Sequence, residues 1–315
     1  MKDFTHVNAT TVAAAAAELA KGKTQVIAGG TDIMTTMKGM ISANLPDTLV
    51  NIKNIPNMAY IKEEGGMLKI GALTTLTTIA KSSVVMGAYK VLAEAAKATA
   101  SPELRNMGTI GGNICQRPRC IYYRNEFNNF PCLRKNPSGL CYALAGVNRY
   151  HSIFGAVNGC VAVCPSDTAP ALVALKAKIV TNKKTWEAAD FFVIKGEQIN
   201  SLDADEIVTE IQVPTPAAGT KSAYRKFAFR KAIDFPLVSA AVVVSGSTAS
   251  IVLGGVHNSP RVATAAQAAV TGAITEAMAE AAGTAAITGA TALAQNGYKR
   301  QIAKTLVKRA LLASV

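Results

Sequence analysis

Histidine, tryptophan and acidic residues are scarce in this chain of 315 residues. It contains three histidines, one tryptophan, and 20 Asp and Glu residues against 33 Lys and Arg residues. The histidines, His6, His151 and His257, are far apart, and no Ser/His/Asp or Cys/His signature accompanies them. We therefore expect no acid–base or nucleophilic catalysis by the protein's own side chains.

Aromatic residues and local clusters of basic residues are also lacking. The formal net charge is +13, but the Lys and Arg residues are spread along the chain and only 6% of residues are aromatic. Nucleic-acid-binding surfaces usually concentrate their basic side chains in one patch. We expect no nucleic-acid partner, because acidic partner subunits or simple solvation account better for this charge.

A secretory signal and a membrane span are both missing from the amino-terminal region. Residues Met1–His6 do not form a charged segment followed by an apolar run and a cleavage site. The Ala-rich stretch Val12–Ala20 contains Glu18 and is followed by Lys21–Lys23, which is typical of a helix in a soluble domain. We expect a cytoplasmic protein without a membrane span, and export together with a signal-bearing partner stays open.

The periodicity of apolar residues predicts a mixed α/β chain without repeats. The Pro-rich stretch Pro214–Gly219 is the best candidate for a domain boundary. The predicted helices cover residues 9–21, 33–38, 75–80, 88–99 and 168–175, followed by Ala-rich helices near the end of the chain. The predicted strands cover residues 24–28, 48–52, 59–63, 67–70, 178–181, 206–213, 224–230, 238–245 and 250–253.

Two glycine-containing loops carry the first candidate binding residues. Ala28–Asp32 follows a predicted strand, so successive backbone amides can turn toward an anion while Thr31 adds a hydroxyl. A simple turn is the alternative for this loop. Thr109–Asn113 repeats the same chemistry, and two such loops match the two phosphates of a dinucleotide. Neither loop has the three spaced glycines of the Rossmann fingerprint, so a different nucleotide-binding fold is needed.

Three charged residues farther along the chain are candidates for contacts with a nucleotide. Asp167 is able either to accept hydrogen bonds from a ribose or adenine, or to cap the helix that begins near Thr168. Lys226 and Arg230 have even spacing on one predicted strand, which puts them on the same face. That face either meets phosphate or ring oxygens or is exposed to solvent.

All six cysteines lie between Cys115 and Cys164, and this clustering indicates a metal centre. Disulfides are one alternative, but they are typical of secreted chains. Structural zinc is another, although the segment has no Cys-x-x-Cys pair and only His151. Four thiolates at irregular spacings favour a cubane iron–sulfur cluster. Basic residues that offset its charge, or that form a solvated surface, are Arg117, Arg119, Arg124, Arg134 and Lys135.

Four motifs together resemble the FAD-binding medium subunits of molybdenum hydroxylases. They are Ala-Gly-Gly-Thr-Asp (28–32), Arg-Asn-Met-Gly-Thr-Ile-Gly-Gly-Asn (105–113), Pro-Ser-Asp-Thr-Ala-Pro (165–170) and Tyr-Arg-Lys-Phe-Ala-Phe-Arg-Lys-Ala-Ile-Asp-Phe (224–235). The resemblance implies an α+β fold with a vanillyl-alcohol-oxidase-type FAD-binding domain over residues 1–216, in subdomains of about 1–55 and 56–216. A small α/β domain of the CO dehydrogenase flavoprotein type follows over residues 217–315.

The resemblance also implies the cofactor contacts. The residues expected to bind FAD are Val26, Ile27, Ala28, Gly29, Gly30, Thr31, Asp32, Ile33, Met34, Thr109, Ile110, Gly111, Gly112, Asn113, Asp167, Ile207, Val208 and Lys226. A subset of the family, with 4-hydroxybenzoyl-CoA reductase among its members, carries an inserted [4Fe-4S] cluster, and residues 115–164 are similar to that insertion. The implied ligands are Cys120, Cys132, Cys141 and Cys160, which leaves Cys115 and Cys164 as buried thiols or as replacements for one of the four.

The function implied is electron transfer within a larger complex. A partner subunit carries the molybdenum cofactor, a second partner carries [2Fe-2S] clusters, and FAD exchanges electrons with NAD, ferredoxin or a quinone. No catalytic side chain is expected on this chain, and the substrate of the complex is left open. A stand-alone flavoprotein oxidoreductase with a structural zinc is the main alternative, and a scaffold that has lost FAD is a third.

Overall fold

A computed structural model describes the whole chain, from Met1 to Val315, as thirteen α-helices and twelve β-strands in three sheets. The sheets follow one another along the sequence. The first is a small parallel sheet. The second is antiparallel, and its strands come from before and after the cysteine-rich segment in the sequence. The third is antiparallel and lies near the carboxyl end. No helix in the structure combines the length and the apolar character needed to cross a bilayer.

The first sheet is formed by residues 5–51 in the strand order β1–β3–β2. Each connection between strands contains a helix, as parallel pairing requires. Thr11 begins the first helix by accepting a hydrogen bond from the amide of Ala14, and Ala15 and Leu19 of that helix are buried. The elements are β1 (Thr5–Asn8), α1 (Val12–Leu19), β2 (Thr24–Ile27), α2 (Ile33–Lys38) and β3 (Thr48–Asn51).

The second sheet has five antiparallel strands in the order β4–β5–β8–β6–β7. These are β4 (Ile61–Glu64), β5 (Met67–Gly71), β6 (Lys178–Thr181), β7 (Thr185–Glu187) and β8 (Val208–Pro214). Gly65 and Gly66, both with positive φ, form the two-residue turn between β4 and β5. β8 lies between β5 and β6, so it joins the strands that precede and follow the cysteine-rich segment.

Eight helices accompany the second sheet. They are α3 (Leu76–Lys81), α4 (Ser83–Ala88), α5 (Lys90–Ala98), α6 (Pro102–Met107), α7 (Ile110–Cys115), α8 (Tyr142–Ala145), α9 (Thr168–Ala174) and α10 (Ala188–Phe191). Between α7 and α9 the only regular elements are a 3-10 turn at Glu126–Asn128 and the single turn of α8. The segment with the cysteines is therefore largely irregular and depends on side-chain contacts for its shape.

The third sheet has the order β12–β11–β10–β9 and is antiparallel throughout. Its elements are β9 (Lys221–Phe227), β10 (Val238–Ser245), β11 (Thr248–Gly254), β12 (Arg261–Val262), α11 (Thr264–Ala268), α12 (Glu276–Ala285) and α13 (Tyr298–Leu312). Successive residues of β10 face opposite sides. Ala241 packs in the main core of the chain, whereas Ala240 and Val242 pack with the carboxyl-terminal helices. This strand thus fixes the last domain to the rest of the chain.

Most predicted elements are present, but one strand is displaced. The strand predicted over 224–230 runs over Lys221–Phe227, so Arg230 lies beyond it and does not share a face with Lys226. Arg230 is exposed and pairs with Asp234 instead. The predictions missed β1, β7, β12 and several one- or two-turn helices, because such short segments show too little periodicity to detect.

The contact between α12 and α13 generates a stability prediction. A Cβ added at Gly283 would lie 2.5 Å from the carbonyl oxygen of Lys304. Alanine normally stabilises a helix relative to glycine by roughly 0.5–1 kcal/mol. Here the clash should outweigh that gain, since overpacking costs about 1–3 kcal/mol. We expect Gly283→Ala to lower the free energy of unfolding, as measured by urea denaturation.

Gly87 provides the matched control, because it is also helical but a Cβ there would meet no atom within 4 Å. Gly87→Ala should raise the unfolding midpoint by the ordinary helix preference. Equal effects of the two substitutions would contradict the close approach of α12 to α13.

Candidate functional site

A cavity of about 590 Å³ lies between the first sheet, the amino end of α7 and the loop that precedes β10. The segment from Gln198 to Val208 closes another wall. Thirteen of the residues expected to bind FAD line this cavity: Val26, Ala28, Gly29, Gly30, Thr31, Asp32, Ile33, Thr109, Gly111, Gly112, Asn113, Ile207 and Val208. The structure therefore brings the two glycine loops together.

Five of the expected residues are not on the cavity wall. Ile110 is fully buried in the main core, and Ile27 and Met34 pack against the apolar cluster that contains Met37. These three residues support the glycine loops by packing in the apolar cores next to them. The remaining two, Asp167 and Lys226, are paired elsewhere.

The loop after β2 presents backbone amides that no other group of the chain uses. The N–H groups of Gly29, Gly30, Thr31 and Asp32 have no acceptor within the protein. Gly30 has a φ of +72°, and a Cβ at Gly29 would lie 2.0 Å from the carbonyl oxygen of Met107. Glycine is thus required twice, once for the turn and once for the close approach to the end of α6. Four free amides in succession form a concave site for an anion.

The second loop differs from the first, contrary to the prediction that the two repeat the same chemistry. Gly111 donates its N–H to Ala72 at 3.0 Å, and Gly112 donates to the hydroxyl of Thr109 at 3.1 Å. The amides of Ile110 and Asn113 also have acceptors within the chain. Thr109 is simply the N-cap of α7. This loop shapes the cavity wall but offers no comparable row of free amides.

Asn113 connects the two ends of the cysteine-rich segment. Its Oδ1 accepts hydrogen bonds from the hydroxyls of Ser166, at 2.6 Å, and Thr168, at 2.7 Å. All three side chains are buried. The residues before and after the segment are therefore held side by side, so a long irregular excursion leaves the surrounding fold intact.

Asp167 is fully enclosed and fits neither of its two predicted roles directly. Its oxygens accept hydrogen bonds from Lys226 at 2.8 Å and from the hydroxyl of Tyr224 at 2.6 Å. It does not line the cavity, and it makes no capping bond to α9. The cap is Ser166, which accepts from the amide of Ala169. Burial raises the pKa of Asp167, and Lys226 opposes that shift. The pair fastens β9 to the start of α9.

Asp32 links the glycine loop to the cysteine-rich segment. Its Oδ1 lies 2.8 Å from the guanidinium groups of Arg119 and Arg124, and its Oδ2 accepts the amide of Arg117 at 2.9 Å. Burial alone would raise the pKa of Asp32, but Arg124 and Arg119 lower it overall. Arg119 and Arg124, expected to offset the charge of an iron–sulfur cluster, thus lie against the glycine loop. Together with the carboxylate of Asp32, their two guanidinium groups leave one excess positive charge at this loop.

A second ion pair and an aromatic contact hold parts of the cavity wall, and no sequence pattern indicates either of them. Arg117 pairs with Glu197 at 2.6 Å, just before the wall segment that begins at Gln198. The Arg119 guanidinium lies 4.5 Å from the centre of the Phe235 ring, which comes from the loop before β10. Both contacts join distant parts of the chain, so no local sequence pattern predicts them.

Four cysteines and one histidine surround a second, small cavity inside the irregular segment. Cys120, Cys132, Cys141 and Cys160, the four residues implied as ligands, all line it, together with His151. The enclosed space is about 20 Å³, and no acidic side chain lines it. As the side chains stand, no three of them converge closely enough to hold a single ion.

Backbone amides point at the sulfurs of this cavity. The amide of Ala162 lies 3.4 Å from the Cys160 sulfur, and further amide donors to Cys120 and Cys141 are those of Tyr122, Tyr123, Val161, Ala143 and Leu144. Burial nevertheless raises the pKa of the Cys120 thiol to about 12. Amide donors serve a metal-bound thiolate far better than a neutral thiol. The donor set therefore fits a thiolate-bound metal centre.

Cys115 and Cys164 lie outside this cavity. All six cysteines are free thiols in the structure. Cys115 borders the large cavity, and Cys164 belongs to the main core. Burial raises the pKa of both thiols to about 12. Neither is positioned to replace one of the four cysteines of the small cavity.

The Asp32 contacts generate a prediction about stability. In Asp32→Asn, Arg119 and Arg124 lose their shared counter-charge, which should cost about 1–3 kcal/mol of unfolding free energy. Because the pKa of Asp32 is lowered in the folded state, its stabilising effect is complete above its ordinary value of 3.8 and is lost as pH falls through the lowered value. The difference from wild type should shrink below that pH.

Asp47→Asn is the control for this experiment, since Asp47 pairs with Lys2 but its side chain is 49% exposed. Its removal should change the unfolding free energy much less than Asp32→Asn does, because solvent screens the exposed pair. Similar losses in both variants would show that Asp32 has no special structural role.

Two family models together match nearly the whole chain. Residues 2–216 match the FAD binding domain in molybdopterin dehydrogenase, and residues 222–314 match the CO dehydrogenase flavoprotein C-terminal domain. The chain is 34% identical over 271 residues to the aldehyde oxidoreductase FAD-binding subunit PaoB of Escherichia coli K12, which covers 82% of this chain and 83% of that protein. It is 27% identical over 295 residues to the carbon monoxide dehydrogenase medium chain of Afipia carboxidovorans, covering 90% and 86%.

A solved structure agrees with these matches. Carbon monoxide dehydrogenase from Hydrogenophaga pseudoflava, in a form that lacks the Mo-pyranopterin moiety of its cofactor, contains a chain with a TM-score of 0.76 and 29% identity, covering 99% of this chain and 97% of that one. The predicted fold class is confirmed. The chain belongs to the family of FAD-binding medium subunits of molybdenum hydroxylases, of the CO dehydrogenase and aldehyde oxidoreductase type, and is a subunit of an oxidoreductase.

Proposed function

We propose that this chain is an electron-transfer subunit that holds FAD in the large cavity and a [4Fe-4S] cluster in the small one. The observation that carries the proposal is the meeting of Cys120, Cys132, Cys141 and Cys160 around one cavity, beside a glycine loop with free amides. When bound, the two groups would supply the electron chemistry, which protein side chains lack. The residues of this chain bind, orient and enclose them.

The large cavity suits FAD in size and in charge. Its volume of about 590 Å³ lies within the range usual for cofactor sites. The free amides of Gly29–Asp32 provide donors for a pyrophosphate, and the positive excess around Asp32 favours the same anion. Ile207 and Val208 give the opposite wall an apolar surface. Of the residues expected to touch FAD, Asp167 and Lys226 act in this proposal by fixing β9 against α9.

The small cavity suits an all-thiolate cluster. Four sulfurs match the four irons of a cubane, and amide donors at the sulfurs are the usual partners of such clusters. Arg134 is buried next to Cys160, with its guanidinium 3.9 Å from the sulfur. This charge would offset part of the negative charge of a bound cluster.

The proposed partners are a large subunit with the molybdenum cofactor and a small subunit with [2Fe-2S] clusters. Support comes from the relatives, which are FAD-binding subunits or medium chains of oxidoreductases. On this model the substrate reacts on the large subunit, and the flavin exchanges electrons with NAD, ferredoxin or a quinone.

A stand-alone flavoprotein with a structural zinc is the second candidate. One observation favours it: His151 lies beside Cys120, and zinc accepts mixed Cys and His ligands. Turnover of a small substrate by the isolated chain, with zinc in place of iron, would support this candidate. Co-purification with a molybdenum subunit and turnover only by the complex would exclude it.

FAD retention provides a direct test of the large cavity. Gly29→Ala should push the glycine loop away from Met107 and lower the flavin content of the purified protein, measured as the FAD released on denaturation and quantified by its fluorescence. Gly272→Ala is the control, because a Cβ there would meet no atom within 4 Å. Full flavin content in Gly29→Ala would contradict the assignment of this loop to FAD.

Metal content tests the small cavity. We expect about four irons and four sulfides per chain after anaerobic purification, and loss of most of this iron in Cys132→Ala or Cys141→Ala. Cys164→Ala, which alters a buried thiol outside the cavity, should keep the wild-type iron content. Equal loss in all three variants would argue against the ligand set.

A further inference from the structure

His151 is the one side chain at the cysteine cavity, besides the four cysteines, of a type that commonly binds metals, and the proposed ligand set leaves it without a role. It is 2% exposed, and its Nε2 lies 3.2 Å from the sulfur of Cys120. A sulfur bound to iron carries no proton, so the ring nitrogen must be the donor in this contact. The other ring nitrogen, Nδ1, is buried and has no hydrogen-bond partner, so Nε2 makes the only polar contact of the ring.

The same distance argues against His151 as a cluster ligand. In a cubane with four protein ligands, each ligand binds a different iron. Two ligand atoms on separate irons do not lie at hydrogen-bond distance from each other. Because Nε2 is 3.2 Å from the Cys120 sulfur, only one of the two residues is able to bind iron in this arrangement. Cys120 belongs to the proposed set of four thiolate ligands, so we assign the iron to Cys120 and treat His151 as a neighbour of that ligand.

The carboxyl-terminal domain holds His151 in place. Asn296 donates from its side-chain amide to the carbonyl oxygens of His151, at 3.1 Å, and Ser152, at 2.9 Å. Lys299, in the first turn of α13, donates to the carbonyl oxygens of His151 at 3.0 Å and Tyr150 at 2.9 Å. The backbone that carries the imidazole is thus fixed from a different domain.

Lys299 is itself held firmly. Its side chain is fully buried and makes a third hydrogen bond, to the carbonyl oxygen of Gly255 at 2.8 Å. Burial lowers its pKa to about 7. Three carbonyl acceptors therefore fix the amine of Lys299, and with it the backbone of His151.

We propose that His151 is a positioning residue that donates a hydrogen bond from Nε2 to the Cys120 sulfur of the cluster and thereby raises the reduction potential of the cluster. The inference rests on the [4Fe-4S] cluster of the proposed function. A donor at the sulfur withdraws negative charge, which favours the more negative, reduced state. Since Asn296 and Lys299 hold the histidine, the carboxyl-terminal domain takes part in setting this potential.

The test is an EPR-monitored redox titration of the holoprotein, purified with its partner subunits. His151→Phe removes the N–H donor, and His151→Asn keeps an N–H group on a side chain too short to reach the Cys120 sulfur. Both should shift the reduction potential of the cluster to more negative values. His151→Gln keeps an N–H group on a longer side chain and should restore part of the difference. The FAD potential and the iron content should stay at wild-type values in all three.

His257→Phe is the control, because His257 contacts Ser259 outside the cysteine cavity, and it should leave the potential of the cluster unchanged. An unshifted potential in both His151→Phe and His151→Asn, with full iron content, would refute the hydrogen bond. Loss of one or more irons in these variants would identify His151 as a ligand instead. Zinc, or no metal, in the wild-type protein would refute the proposed cluster itself, so the two failures are distinguishable.

Discussion

The carboxylate of Asp32 is the contact on which the relation between the two cavities depends. One oxygen binds the guanidinium groups of Arg119 and Arg124, and the other binds the amide of Arg117. The arginines belong to the segment that leads into Cys120, whereas Asp32 ends the glycine loop. A shift of either segment therefore changes the other. An irregular stretch of more than forty residues can keep a defined place beside the nucleotide cavity because this group is largely buried and charged.

The fold protects this arrangement at both ends. Asn113 ties the entrance and exit of the irregular segment together, and β8 joins the strands on either side of it. The carboxyl-terminal part of the chain then contributes Phe235 to the wall of the large cavity and Asn296 to the backbone near His151. Residues of all three sheets share the main core, which borders the large cavity. Binding groups come from loops, whereas the strands and longer helices supply the support.

The sequence predicted the fold class and the residues of both cavities largely through motifs. The glycine loop is recognisable from its residue types after a strand, whereas the four cysteines follow from the resemblance to the family, because their spacing is irregular. Asp167 shows the limit. A lone carboxylate before a helix looks like a cap or a ligand contact, and only the positions of Tyr224 and Lys226 reveal a buried pair.

Other misses have the same physical cause. Thr109–Asn113 resembles Ala28–Asp32 in composition, yet its amides are used by the cap of α7 and by Ala72. The wall segment from Gln198 has no motif at all, because its place is set by Arg117 and Glu197 across eighty positions of sequence. The roles of these residues depend on partners far away in the sequence, whereas hydrophobic periodicity predicts only local structure.

The position of β8 in its sheet has a consequence for biogenesis. Gly71 pairs with Glu210, so the two strands come together only after nearly 140 further residues have been synthesised. Pairing over such a distance is slow relative to local helix formation. All six cysteines precede β8 in the sequence, so they leave the ribosome before the central strand of this sheet. The irregular segment is therefore complete, with its cysteines, before the sheet formed by its flanking strands is able to close.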